Sequence, residues 1–104
     1  MIFYLVNTTT SNKENAVKIA KHLIENKLAA CVNIVPNVTS IYRWDGNICE
    51  EQEFLLNIKT KEELFKKVNE AIISKHEYEL PEIIAVKIEN GSDAYLKWIE
   101  TETI

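Results

Sequence analysis

Apolar and polar positions repeat with two different periods along this chain, and the switches between them mark its elements. Residues 2–8 are a short β-rich run. Ser11 and Glu14 follow with capping-box spacing, and Ala16, Ala20, Leu23, Ile24 and Leu28 recur at helical period, predicting a helix over about 12–27. "AACVNIVP" and "VTSIYRW" are strand-like and interrupted at Pro36, and "ICEEQEFLLNIKT" returns as a strand. Between them "DGN" at 45–47 is a strong hairpin signal. Thr60 and Glu63 form a second capping box for a helix over about 61–75, burying Leu64, Phe65, Val68 and Ile72. "IIAVKI" then reads as a strand buried on both faces, and Ser92 caps a short final helix, "DAYLKWIE".

The order β-α-β-β-α-β plus a terminal helix predicts an α+β fold, a ferredoxin-like sandwich occupying 1–104 as one domain. Its central hairpin, formed by the second and third strands (β2 and β3, about 31–44 and 48–60), is extended. Each side runs about 13 residues, roughly 40 Å at ~3.3 Å per residue, against a radius of gyration near 13 Å for a domain this size. Ile41, Tyr42, Trp44 and Ile48 stand on its outer end with nothing in the same domain to cover them. An exposed aromatic edge requires a partner, and a closed homo-oligomer is the expectation. A plain two-residue turn would put Val32 and Ile34 on the face of Lys59 and Asn57. Pairing them with Thr60 and Ile58, and Val38 with Phe54, needs a three-residue loop or a bulge marked by Pro36. In either register Cys31 and Cys49 are too far apart for a bridge within the chain.

Composition narrows the function. A net charge of −4 argues against a nucleic-acid binder, which needs a basic face, and leaves room only for a local basic pocket. No window approaches the ~20 apolar residues of a membrane span. The opening "MIFYLV" lacks a basic leader, so the chain reads as cytoplasmic with both cysteines reduced. Two glycines and no evident nucleophile–base pair give no enzyme signature, and the chain is read as non-enzymatic.

Four stretches together, "KLAACVNIVPNVTSIYRWDGNI", "LLNIKT", "HEYELPEIIA" and "YLKWI", resemble the CutA family of divalent-cation tolerance proteins. The resemblance implies a tight homotrimer joined through the long hairpins, with Ile41, Tyr42, Trp44 and Trp98 at subunit contacts. It also implies similarity to the trimeric PII signalling proteins, and a response to metal ions with copper or another divalent cation as ligand.

The candidate chemistry gathers at "SKHEYELPEII". His76 is the one histidine set among acids. It reads either as the basic end of a helix dipole or as a metal ligand. His22 reads as solvated. In copper-binding members of the family a Cys follows the first strand and a His pair precedes the Pro-Glu step. Here those positions are Asn7, Lys75 and His76. What remains is weak chelation by His76 with Glu82, and Cys31 enters as a metal candidate because the family motif contains it. Lys59, Tyr78 and Glu82 are expected to line an inter-subunit cleft, open to a small anion if the chain is instead a PII-like sensor. Within that cleft wall His76, Tyr78 and Glu82 are expected to face inward, with Glu77 and Glu79 solvated and Pro81 helping to aim Glu82.

Overall fold

The computed structural model describes residues 1–104. Its elements are β1 (Phe3–Thr10), α1 (Lys13–Glu25), β2 (Cys31–Trp44), β3 (Asn47–Lys61), α2 (Phe65–Lys75), β4 (Ile84–Lys87) and α3 (Asp93–Glu102). A single 3₁₀ turn, Glu62–Leu64, leads into α2. The sheet order is β2-β3-β1-β4 with every neighbour antiparallel, which is the ferredoxin-like arrangement.

Alternation along the strands divides the sheet into two faces. Val6, Leu56 and Ile58 point to the helices and are fully buried with Ala16, Ile19 and Leu23 of α1 and Val68 and Ile72 of α2. The opposite face carries Leu5, Asn7, Asn57 and Lys59, with Ile84 and Val86 on β4. The reading of residues 83–88 as buried on both faces needs correction. β4 is an edge strand, and Ile84 and Val86 are each 52% exposed in the single chain. Their apolar run reflects a face that α1 and α2 do not reach.

Both helix starts differ from the capping boxes predicted. α1 is capped by Asn12, whose side chain accepts from the Asn15 backbone N–H at 2.7 Å, so Ser11 lies one residue outside. Thr60 caps nothing. Its buried hydroxyl donates to the Leu28 carbonyl at 2.6 Å, tying β3 to the α1–β2 loop. Ile24 is exposed, because α1 turns Ile19 rather than Ile24 into the core.

The hairpin turn is the two-residue one that Asp45-Gly46 encodes, with φ of 53° and 80° at its two centres. Both values are positive, the type I′ signature that suits strand twist. The register shift falls instead inside β2. Val35 pairs with Leu55 but Val38 with Glu53, so Pro36 and Asn37 together face one residue of β3. Pro36 cannot donate to a ladder and Asn37 takes φ 60°, which marks the bulge. The shift runs opposite to the pairing expected: Val32 meets Ile58 and Ile34 meets Leu56. It still brings all four to the core face. Cys31 pairs with Lys59 and Cys49 with Tyr42, separating the thiols by roughly 33 Å along the arm at ~3.3 Å per residue. The long axis of the molecule is 44 Å, against 25 and 22 Å across it. The arm sets that length.

Candidate functional site

A cleft of about 760 Å³ opens where the hairpin leaves the body of the fold. One wall is the arm, with Tyr42 and Trp44 from β2 and Cys49, Glu51 and Glu53 from β3. Residues 49, 51 and 53 share a face because strand side chains alternate with period two. The other wall is the segment between α2 and β4, from Glu77 to Glu82. Thr9 at the end of β1 lies at the back.

Five carboxylates line this cleft (Glu51, Glu53, Glu77, Glu79 and Glu82), and no lysine or arginine does. Glu53 is the innermost, only 6% exposed. Its Oε2 accepts the Tyr78 hydroxyl at 2.6 Å, and no cationic side chain lies within salt-bridge distance. Burial, then that hydrogen bond and the Glu53 charge, push the Tyr78 phenol well above its ordinary value. The Tyr42 phenol is raised in the same direction, by burial first and then by its 3.2 Å hydrogen bond to Glu51.

The raised phenol of Tyr78 has a consequence for stability. A group whose folded pKa is raised adds stability that is complete below its unfolded value and is lost as pH climbs towards the folded one. For tyrosine that loss begins near pH 10. Tyr78→Phe is therefore expected to lower the melting temperature at pH 8 but to narrow its deficit above pH 10. Melting curves at pH 8 and pH 11 check this; a constant deficit would mean that Tyr78 is not the group concerned.

The wall is anchored by α1. Asn15, 3% exposed, donates to the Lys75 carbonyl at 2.9 Å and accepts the Glu77 N–H at 3.2 Å. Asn12 donates to the Glu77 carboxylate at 2.9 Å. His76 lies between these contacts, at the C-cap of α2. Its Nε2 is 2.8 Å from the Thr9 carbonyl, and its Nδ1 accepts the Tyr78 N–H at 3.0 Å.

The residues singled out from sequence therefore separate. Tyr78 and Glu82 meet in the cleft, and His76 stands behind its wall with both ring nitrogens occupied. Glu77 and Glu79 are exposed yet also line the cleft. Lys59 is not brought to it. It sits on the open sheet face, hydrogen-bonded to Asn33 and 3.8 Å from the Cys31 sulfur. Asn7 donates to Asn57 at 2.6 Å and to the Leu56 carbonyl. Ile41, Tyr42 and Trp44 are on the arm, and Trp98 is on α3 beside Tyr95. Glu51, Glu53 and Cys49 escaped the sequence reading. Their signal was present, an i, i+2, i+4 stripe of ligand-type side chains on one strand face.

The sequence model of the CutA1 divalent ion tolerance protein family matches residues 4–102. The chain belongs to this family. It is 48% identical over 99 residues to the divalent-cation tolerance protein CutA of Thermus thermophilus, covering 95% of this chain and 96% of that protein. It is 43% identical to a chloroplastic CutA protein of Arabidopsis thaliana, again over 95% of this chain but 54% of the relative. The chain thus spans about half the length of the plant relatives it matches and nearly all of the Thermus one. Among solved structures, the Thermus thermophilus divalent cation tolerance protein superposes with a TM-score of 0.95 at 46% identity, covering 98% of this chain and 99% of that one. CutA1 from Oryza sativa gives 0.97 at 41% identity, covering 100% and 95%. These CutA1 matches agree with the ferredoxin-like topology and the long arm seen here. No helix of this CutA1 chain is long and apolar enough to cross a membrane.

Proposed function

We propose that this chain serves divalent-cation tolerance as a homotrimer joined through its β2–β3 arms, each copy presenting a carboxylate cleft to a divalent cation. The observation that carries the cation reading is the charge of the cleft: five glutamates and no basic side chain. Such a lining attracts a cation and repels an anion. Lys59, the residue that an anionic ligand would need, is not among the lining residues and lies further along β3, beside Cys31 and Asn33.

The donor set fits a cation weakly. Glu51, Glu53 and Glu82 supply oxygen donors, and Cys49 adds one soft ligand at the edge. No three His, Cys, Asp or Glu side chains converge on one point, so binding requires them to move together. Low affinity follows. The Tyr78 and Tyr42 hydroxyls are held by Glu53 and Glu51 and their phenols are raised, which keeps them protonated, and the proposed role is binding rather than catalysis. Assembly is supported by Ile41, Trp44 and Ile48, which are 67%, 49% and 74% exposed, and by the uncovered Ile84 and Val86. Apolar groups so placed on an edge and an arm gain free energy when a second copy covers them.

The test is a melting-temperature panel on metal-free protein. Cu²⁺, Zn²⁺ and Mn²⁺ are titrated in turn, followed by nucleotides and small carboxylates. A ligand selective for the folded state stabilises it by about 2.7 kcal/mol at a hundredfold excess over Kd. Stabilisation by at least one divalent cation and by none of the anions is the expected pattern. Stabilisation by an anion alone would replace this reading with that of a small-metabolite sensor.

A further inference from the structure

We infer that His76 is a latch for the cleft wall rather than a metal ligand: its ring, held between Thr9 and Tyr78, positions the segment 77–82 against the arm. The inference rests on the proposed cation reading only for what the wall encloses. The latch itself belongs to the metal-free chain.

The hydrogen bonds assign the proton. A carbonyl oxygen only accepts, so Nε2, 2.8 Å from the Thr9 carbonyl, carries the hydrogen. A backbone N–H only donates, so Nδ1, 3.0 Å from the Tyr78 nitrogen, presents its lone pair. Only the neutral Nε2–H form satisfies both. That form has no lone pair left for a cation, and coordination by Nδ1 would release the Tyr78 amide.

The ring also packs on Tyr78, with ring centroids 4.8 Å apart. Tyr78 is in turn fixed at its far end, where its hydroxyl donates to buried Glu53. One imidazole thus connects the end of β1, the end of α2 and, through Tyr78, the middle of β3. The wall needs this, because residues 76–83 form no helix or strand. Its other backbone hook is the Glu77 N–H to Asn15, one residue earlier than Tyr78. His76 is the contact that fixes where the Tyr78 side chain begins, and so where the Glu53 carboxylate is held.

The experiment has two arms on the full chain. In the first, ¹⁵N resonances of the His76 ring are recorded without metal and at saturating Zn²⁺. The expected result is the Nε2–H tautomer in both states. Movement of either ring nitrogen to a zinc-coordinated position would overturn the proposal. In the second, exchange of the Tyr78 amide hydrogen is followed in wild type, His76→Ala and His76→Asn. Asparagine retains an acceptor suited to the N–H two residues on. Exchange is expected to quicken by about tenfold in His76→Ala, the fold-change of one lost hydrogen bond. In His76→Asn it should return to within about threefold of wild type. Unchanged protection in His76→Ala would also overturn the latch. The first arm needs no variant, so it stands if His76→Ala fails to fold. Absence of any Zn²⁺ binding, with the tautomer and exchange results as expected, would count against the cation cleft and in favour of the latch alone.

Discussion

Trp44→Asp is expected to dissociate the proposed homotrimer. In the single chain Trp44 is half exposed near the end of the arm, between Tyr42 and the Asp45-Gly46 turn. Nothing in its own fold can bury it, because the arm outreaches α1 and α2 and sets the 44 Å long axis. Tryptophan is among the residues that dominate interfaces, and truncating such an anchor costs about 2 kcal/mol or more. Aspartate adds the desolvation of an unpaired charge, about 3–5 kcal/mol when a buried partner is missing. Even the smaller figure weakens association by roughly thirtyfold. Sedimentation velocity at micromolar concentration should show trimer for wild type and mainly monomer for the variant. A variant that remains trimeric would place the subunit contacts elsewhere than the arm.

Asn15→Ala is expected to be the most destabilising small change near the cleft. Asn15 is nearly fully buried on the first turn of α1. It makes two hydrogen bonds to the chain leaving α2, one to Lys75 and one from Glu77. Alanine leaves the Glu77 N–H and the Lys75 carbonyl without these partners. A buried polar group stranded in this way costs about 1–3 kcal/mol. The expected total is about 2–3 kcal/mol, or a fall of about 10 °C or more in melting temperature. The same change frees the start of the cleft wall, so cation stabilisation should diminish as well. Paired melting curves with and without Zn²⁺ separate the two effects. A variant within 2 °C of wild type would show that the wall is held by other contacts.

The fold was legible because its strongest signals are local. Helical spacing marked α1 and α2, and Asp45-Gly46 specified a tight turn with two positive φ values. The bulge at Pro36 was legible as a need, since only a shifted register brings Val32 and Ile34 to the core. Its direction was not legible, because either shift satisfies alternation. Tertiary contacts overrode two local patterns. Thr60 has the right spacing for a cap, yet its hydroxyl serves Leu28 across the chain. The apolar run at 83–88 looks buried on both faces, but its place at the sheet edge is a property of topology. The cleft was half legible. "SKHEYELPEII" announces one wall by its concentration of acids and a proline. The opposing wall is an acidic stripe on β3, more than 20 residues earlier, and hydrophobic periodicity says nothing about which stripe a distant loop will face.

In the proposed function the carboxylates of this cleft hold a divalent cation. Calorimetric titration of Zn²⁺ into metal-free protein, wild type against Glu51→Gln/Glu53→Gln/Glu82→Gln, tests it most directly. Glutamine keeps the shape and removes the charge. Weak, saturable binding to wild type is expected, with at least a tenfold loss of affinity in the variant, a difference of about 1.4 kcal/mol. Equal affinity in the two proteins would contradict it.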